Sequence, residues 1–152
     1  MDCTRVFDLP DEAAQTALGE RLGRACRPPL RVYLHGDLGT GKTTLVRGAL
    51  RAMGWTGAVP SPSYTLVEPY ETPAGSACHV DLYRLADPAE TEGLGLREYL
   101  DGPWCCFVEW PAHGAGALPP ADLELELRIA GSGRQVRMTA RSPRGRSALE
   151  GL

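Results

Sequence analysis

A single compact α/β domain with a phosphate-binding loop is the fold this 152-residue sequence predicts. Three observations predict it. Leu30 to Met53, LRVYLHGDLGTGKTTLVRGALRAM, passes from a β-branched apolar run through a glycine-rich turn into a helical pattern. A second apolar run, WCCFVEW, has the composition of a buried strand and ends in Glu109-Trp110. Around these two lie alternating segments separated by Pro- and Gly-containing turns, the signature of hairpins.

Taken in order, residues 1–9 are an N-terminal arm, of which 4–9 suit a short strand or an extended segment. Pro10 and Asp11 open a helix running to about Cys26, with Ala14, Leu18, Leu22 and Ala25 on one face. Arg27-Pro28-Pro29 ends it, because proline has no N–H to donate and disfavours helical geometry in the residue before it. Strand 30–35 leads into the glycine loop and a helix over 43–53, for which Gly54 is a natural C-terminal cap. Gly57, Pro60 and Pro62 make 55–63 a loop. Tyr64 to Tyr70 and Ala77 to Tyr83 form a predicted hairpin about the turn 72–76. Pro88 to Leu100 reads as a short helix interrupted by Gly93 and Gly95, with Asp87 as its cap. After the WCCFVEW strand and the loop PAHGAGALPP, residues 122–130 and 134–141 alternate as two strands around Gly131-Ser132-Gly133. Residues 142–152 read as a flexible tail to this one domain.

The chemistry begins in the glycine loop. Gly36, Gly41, Lys42 and Thr43 satisfy G-x-x-x-x-G-K-[ST], the P-loop pattern. Glycine admits the positive φ values that turn backbone N–H groups towards an anion. The helix that follows adds its unpaired N–H groups and positive dipole end. Asp37, Leu38, Gly39, Thr40, Gly41, Lys42, Thr43 and Thr44 are therefore the expected nucleotide-binding residues, with Lys42 on the β- and γ-phosphates and the Thr43 hydroxyl available to Mg²⁺. Lys42 is the sole lysine; the other fifteen of the sixteen basic residues are arginine. The one compact ammonium stands where phosphates want it.

A P-loop also needs a carboxylate at the end of a neighbouring strand. Asp81 in CHVDLYR and Glu109 in CFVEW are the two candidates. Ser61, Ser63 and Thr65 put hydroxyls on the loop after the P-loop helix, which either orders around a γ-phosphate or is a plain proline-rich connector. Arg134, Arg137, Arg141, Arg144 and Arg146 make the end of the chain basic, a solvated strand edge or a phosphate or RNA contact. His35, His79 and His113 show no metal-ligand spacing and read as structural.

Composition excludes several classes. A net charge of −3 argues against wholesale coating of nucleic acid. No apolar run approaches the roughly 20 residues of a membrane span, and DCTRVFDLPDEAA has no apolar stretch of the signal-peptide kind. Five cysteines without C-x-x-C spacing suit buried free thiols in a reducing cytoplasm. A small-molecule P-loop kinase would share the loop and the acids, but needs a lid of arginines and an acceptor pocket. The stretch after Gly95 offers no arginine-rich lid. A nucleotide-binding interaction module with negligible hydrolysis is the third reading.

The chain resembles the TsaE-type ATPases of bacterial tRNA threonylcarbamoyladenosine biosynthesis. The matching stretches are GDLGTGKTTLVRGAL, VPSPSYTLVEPY, HVDLYRLADPAE, LGLREYL, FVEWP and LPPADLELEL, in the family's order from about Leu9 to Arg141. Ser63 stands where the family usually has threonine, which keeps the hydroxyl. The resemblance implies a P-loop NTPase fold with a mixed β-sheet flanked by helices, ATP as nucleotide and Mg²⁺ as metal. It further implies work with the TsaB and TsaD proteins, in a complex that transfers a threonylcarbamoyl group to the adenosine beside the anticodon of tRNA. In that family the ATPase does not make the transfer; its ATP cycle lets the complex turn over. By matching motif, Thr43 and Glu109 ligate Mg²⁺, Lys42 and Asp81 belong to the catalytic site, and Ser61 to Thr65 form a switch-like loop. Trp110 lies beside the nucleotide, Arg134 reaches it, and Asp11 and Glu12 lie near the base.

Overall fold

The computed structural model describes residues 3–152. It contains one seven-stranded sheet in the order β1-β7-β6-β2-β5-β4-β3. The strands are β1 (Cys3–Leu9), β2 (Leu30–His35), β3 (Val67–Thr72), β4 (Gly75–Asp81), β5 (Cys105–Glu109), β6 (Leu123–Ala130) and β7 (Gly133–Ala140). Strands β6, β2, β5 and β4 run parallel at the centre, and β3, β7 and β1 join antiparallel at the two sides. The sheet is mixed, as the family resemblance implies.

Alternation along the central strands sorts the core into two layers. Leu30, Val32 and Leu34 of β2 and Cys105 and Phe107 of β5 face one layer, while Tyr33, Cys106 and Val108 face the other. The first layer is closed by α1 (Glu12–Ala25), α2 (Lys42–Met53) and α5 (Pro143–Glu150). The second is closed by α4 (Leu96–Leu100) with Leu82, Leu85 and Ala121; α3 (Glu90–Gly93) precedes α4, and a short 3₁₀ turn spans Pro111–Gly114. Adjacent Cys105 and Cys106 thus point to opposite faces, and all five cysteines are free thiols, with Cys3 only half-buried.

Helices α1 and α2 approach so closely that side chains are excluded from part of the contact. A Cβ on Gly19 would overlap the Leu45 carbonyl, and one on Gly23 would overlap that of Ala49. Asp11 caps α1 by accepting from the Ala14 N–H at 2.8 Å. Gly41 precedes α2 at φ 92° and Gly54 follows it at φ 107°, both left-handed.

Several elements differ from their expected bounds, each for a local reason. The hairpin lies at 67–81 rather than 64–83, because residues 62–66 close a turn, Leu66 N–H donating to the Pro62 carbonyl at 2.8 Å. Its turn is the two residues between Thr72 and Gly75. The helix expected over Pro88 to Leu100 is two short helices parted by Gly95 at φ 68°. The tail expected as flexible is helix α5, begun by Ser142 accepting from Gly145 N–H and held by buried Ala148 and Leu149. The N-terminal arm is an edge strand paired with β7 from Cys3 to Leu9; its first two residues lie outside those described. Among the described residues no helix is long and apolar enough to cross a membrane.

Candidate nucleotide site

The P-loop connects the C-terminal end of β2 to the start of α2, at the edge of the sheet where open α/β folds bind ligands. Gly36, Gly39 and Gly41 have φ values of 152°, 80° and 92°, so the loop depends on glycine geometry. The Thr40 hydroxyl donates to the Asp37 carbonyl at 2.8 Å and ties the loop to itself. Gln15 braces it from α1, its amide donating to the carbonyls of Thr40 at 2.8 Å and Gly41 at 3.1 Å. Gln15 is buried and packed so tightly on the loop that a Cβ on Gly41 would overlap it.

Lys42 is buried, with Nζ donating to the carbonyls of Gly36 and Asp37. The ammonium also stands 4.3 Å above the Trp110 ring. Burial lowers the Lys42 pKa from its ordinary value, opposed by the carboxylates of Glu109, Asp81 and Asp37. The first intrahelical bond of α2 is donated by Leu45 to the Gly41 carbonyl, which leaves the preceding N–H groups directed out of the helix end.

Both candidate acids end parallel strands that lie side by side, Asp81 on β4 opposite Glu109 on β5. Glu109 is 3% exposed, and its Oε2 accepts from the Thr43 hydroxyl at 2.8 Å and from His79 Nε2 at 2.6 Å. An ionised carboxylate only accepts, which makes Nε2 the donor, while the buried His79 Nδ1 has no hydrogen-bond partner among the described residues. Asp81 Oδ1 accepts from the Tyr83 N–H at 2.9 Å. Burial raises the Asp81 pKa, partly offset by that hydrogen bond. Trp110, at φ 57°, turns the chain at the end of β5 and brings its ring to Lys42.

A cavity of about 400 Å³ lies between these groups. Its lining comes from the P-loop and the start of α2, through Leu38, Gly39, Gly41, Lys42, Thr43 and Thr44, and from the ends of β4 and β5, through Asp81, Tyr83, Arg84, Glu109 and Trp110. Ser61, Ser63 and Tyr64 also line it; the two serine hydroxyls are 3.1 Å apart. Arg47 of α2 holds the start of that loop through the Val59 carbonyl at 2.8 Å. A second cavity of about 360 Å³ shares Gly39, Gly41 and Thr44 and adds Asp11, Glu12, Gln15 and Arg134. Arg134 donates from Nη2 to the Gly39 carbonyl at 3.1 Å, joining β7 to the loop. The wider cleft lined by Arg24, Arg27, Pro28 and Arg144, about 480 Å³, includes Leu30 at the opposite end of β2 and has neither P-loop residues nor carboxylates.

Most expected site residues thus line two neighbouring cavities that share Gly39, Gly41 and Thr44. Thr40 is buried within the loop, while neither Asp37 nor Thr65 lines either cavity. Gln15, His79 and the cavity-lining Tyr83 and Arg84 are among the residues that escaped the sequence reading. Gln15 breaks the apolar face of α1, a weak signal. His79 carried none, since its partner is 30 residues away on the next strand.

Among the described residues no cluster of three or more His, Cys, Asp or Glu forms a metal cage. The donor set here is of the other kind, one hydroxyl and one carboxylate already 2.8 Å apart, which suits a Mg²⁺ that takes its remaining ligands from phosphates and water.

Residues 9–137 match the model of the TsaE family, described as threonylcarbamoyl adenosine biosynthesis protein TsaE. The TsaE protein of Haemophilus influenzae is 38% identical over 146 residues, covering 93% of this chain and 92% of that one. That of Bacillus subtilis is 38% identical over 125 residues, covering 82% and 78%. The crystal structure of Bacillus subtilis YdiB superposes with a TM-score of 0.83 at 27% identity, over 99% of this chain and 94% of the other. The P-loop, the paired strand-end acids and these matches together make the chain a member of the TsaE family, whose proteins take part in tRNA threonylcarbamoyladenosine biosynthesis.

Proposed function

We propose that this chain binds ATP with Mg²⁺ and hydrolyses it, as the ATPase subunit that threonylcarbamoyladenosine modification of tRNA beside the anticodon requires. The observation that carries the reading is the meeting of Lys42 and Thr43 with Glu109 and Asp81 around one cavity. The free N–H groups at the start of α2 receive the phosphates, and Lys42 neutralises the β- and γ-phosphate charge. Thr43 and Glu109 would hold Mg²⁺, which when bound supplies further charge neutralisation on the phosphates. His79 fixes the Glu109 carboxylate for that task. Asp81 orients the attacking water and Trp110 walls the site beside Lys42. The neighbouring cavity, with Glu12 and Arg134, is the place for the nucleoside end.

TsaB and TsaD proteins are the proposed partners in a cytoplasmic complex, with tRNA reached through it. Support comes from the family and from the loop 61–65, whose ordering on a partner must offset about 1–2 kcal/mol of backbone entropy per residue.

Calorimetry with MgATP tests the site: wild-type chain binds, and Lys42→Ala loses tight binding, because one cation about 4 Å from a phosphate is worth several kcal/mol at intermediate dielectric. Unchanged affinity in Lys42→Ala sinks the assignment. The assembled complex should hydrolyse ATP faster than the lone chain, with Ser63→Ala or Thr65→Ala reducing that gain. Phosphate found on a small acceptor rather than on water would favour a kinase instead.

A further inference from the structure

We infer that Arg84 is an arginine finger supplied by the chain itself, held on the Tyr64 ring and able to reach the γ-phosphate. The inference rests on the ATPase reading and adds to it a residue for the transition state. Arg84 lines the same cavity as the P-loop residues, and Lys42 is the only other cation among the lining residues. Its guanidinium lies over the Tyr64 ring, 4.1 Å from the centroid. Among the described residues it forms no ion pair. Its charge is therefore not committed to a carboxylate of the fold.

The backbone around Arg84 is hydrogen-bonded on both sides while its side chain is exposed. Leu82 N–H donates to the Glu109 carbonyl at 3.1 Å, and Leu85 N–H returns to the Leu82 carbonyl at 3.0 Å. Leu82 and Leu85 are buried on either side, and His113 Nδ1 meets the carbonyls of Leu82 and Tyr83 at 3.0 and 3.1 Å. The segment is thus registered on the same strand end as the two acids. Tyr64 lies in the 62–66 turn, which is bonded to the site through Asp81 N–H and the Leu66 carbonyl at 2.9 Å.

The electrostatics fit. The lining carries two carboxylates, Asp81 and Glu109, and two cations, Lys42 and Arg84. In hydrolysis a water oxygen bonds to the γ-phosphorus and the bond to the bridging oxygen breaks. The electron pair stays on the β-phosphate of ADP, and the water proton leaves as inorganic phosphate forms. Arg84 takes no proton in this step. Its planar fork neutralises charge that grows on the phosphate oxygens, which an ammonium does less well.

The test uses the full chain with MgATP, MgADP and MgADP with aluminium fluoride, a mimic of the transferring phosphoryl group. Arg84→Ala should cut turnover by about 10²- to 10³-fold, as loss of one transition-state donor does. Its MgADP affinity should stay at the wild-type level while capture of the fluoride complex is lost. Arg84→Lys should recover little, and free guanidinium should restore part of the Arg84→Ala rate. Tyr64→Ala, which frees the guanidinium, should raise basal turnover by about two- to five-fold, the worth of an exposed cation–π contact. Wild-type turnover and fluoride capture in Arg84→Ala would overturn the inference. So would equal weakening of ATP and ADP with turnover unchanged, which marks plain ground-state binding. A wild-type chain that binds no MgATP would instead defeat the ATPase reading itself.

Discussion

Replacing His79 by leucine separates the metal site from the stability of the fold. The imidazole is fully buried in β4 and donates to Glu109 Oε2 at 2.6 Å, while its Nδ1 has no partner among the described residues. Losing a hydrogen bond to a charged group costs about 1.5–3 kcal/mol. Removing the unsatisfied nitrogen returns about 1–3 kcal/mol of desolvation. Leucine is close in volume and suits a position whose same-face neighbours Ala77 and Phe107 are apolar and buried. The two contributions nearly cancel, so the melting temperature should move by less than about 4 °C, the shift that 1 kcal/mol gives a domain of this size. Glu109, by contrast, keeps only the Thr43 hydroxyl at 2.8 Å to orient it. Loss of an outer hydrogen-bond partner typically weakens metal binding about 10- to 100-fold. ATP hydrolysis titrated with Mg²⁺ should therefore reach half-activation at a correspondingly higher concentration. A variant that melts like wild type and activates at the same Mg²⁺ concentration refutes His79 as the residue positioning Glu109.

Glu109→Gln should retain ATP binding but lose turnover and Mg²⁺ response, because the amide keeps the shape and discards the charge; if Asp81→Asn alone impairs metal use, the two acids exchange roles. Gly23→Val should destabilise the chain by at least about 2 kcal/mol in urea melts, since the added side chain meets the Ala49 backbone and α1 must move off α2. Glu124 gives a pH test: burial works against its carboxylate, but hydrogen bonds from Arg141 and His35 outweigh this and lower its pKa below the ordinary 4.5. The stability it contributes is complete above that ordinary value and is lost as pH falls through the lowered folded value. Glu124→Gln should accordingly flatten the acid limb of the stability profile, and an unchanged limb would assign it to other groups.

The sequence by itself determined the local chemistry of the site. A P-loop is contiguous, so Gly36, Gly41, Lys42 and Thr43 declared themselves by spacing, and the strand and helix on either side by period. Glu109 was legible because an apolar strand that ends in an acid points to the ligand edge of a sheet. Asp81 was legible beside it, although only the parallel pairing of β4 with β5 made the two neighbours. Tertiary structure alone decided what depends on register between distant segments. His79 reaches Glu109 from the adjacent strand, Gln15 reaches the P-loop from α1, and Arg134 reaches Gly39 from β7. None of these contacts has a periodic trace, because each joins residues at least 25 positions apart. The end of the chain was misread for the same reason. PRGRSALE is polar in composition, with three apolar side chains at most, and becomes a helix because α1 and β7 offer Ala148 and Leu149 a surface to bury.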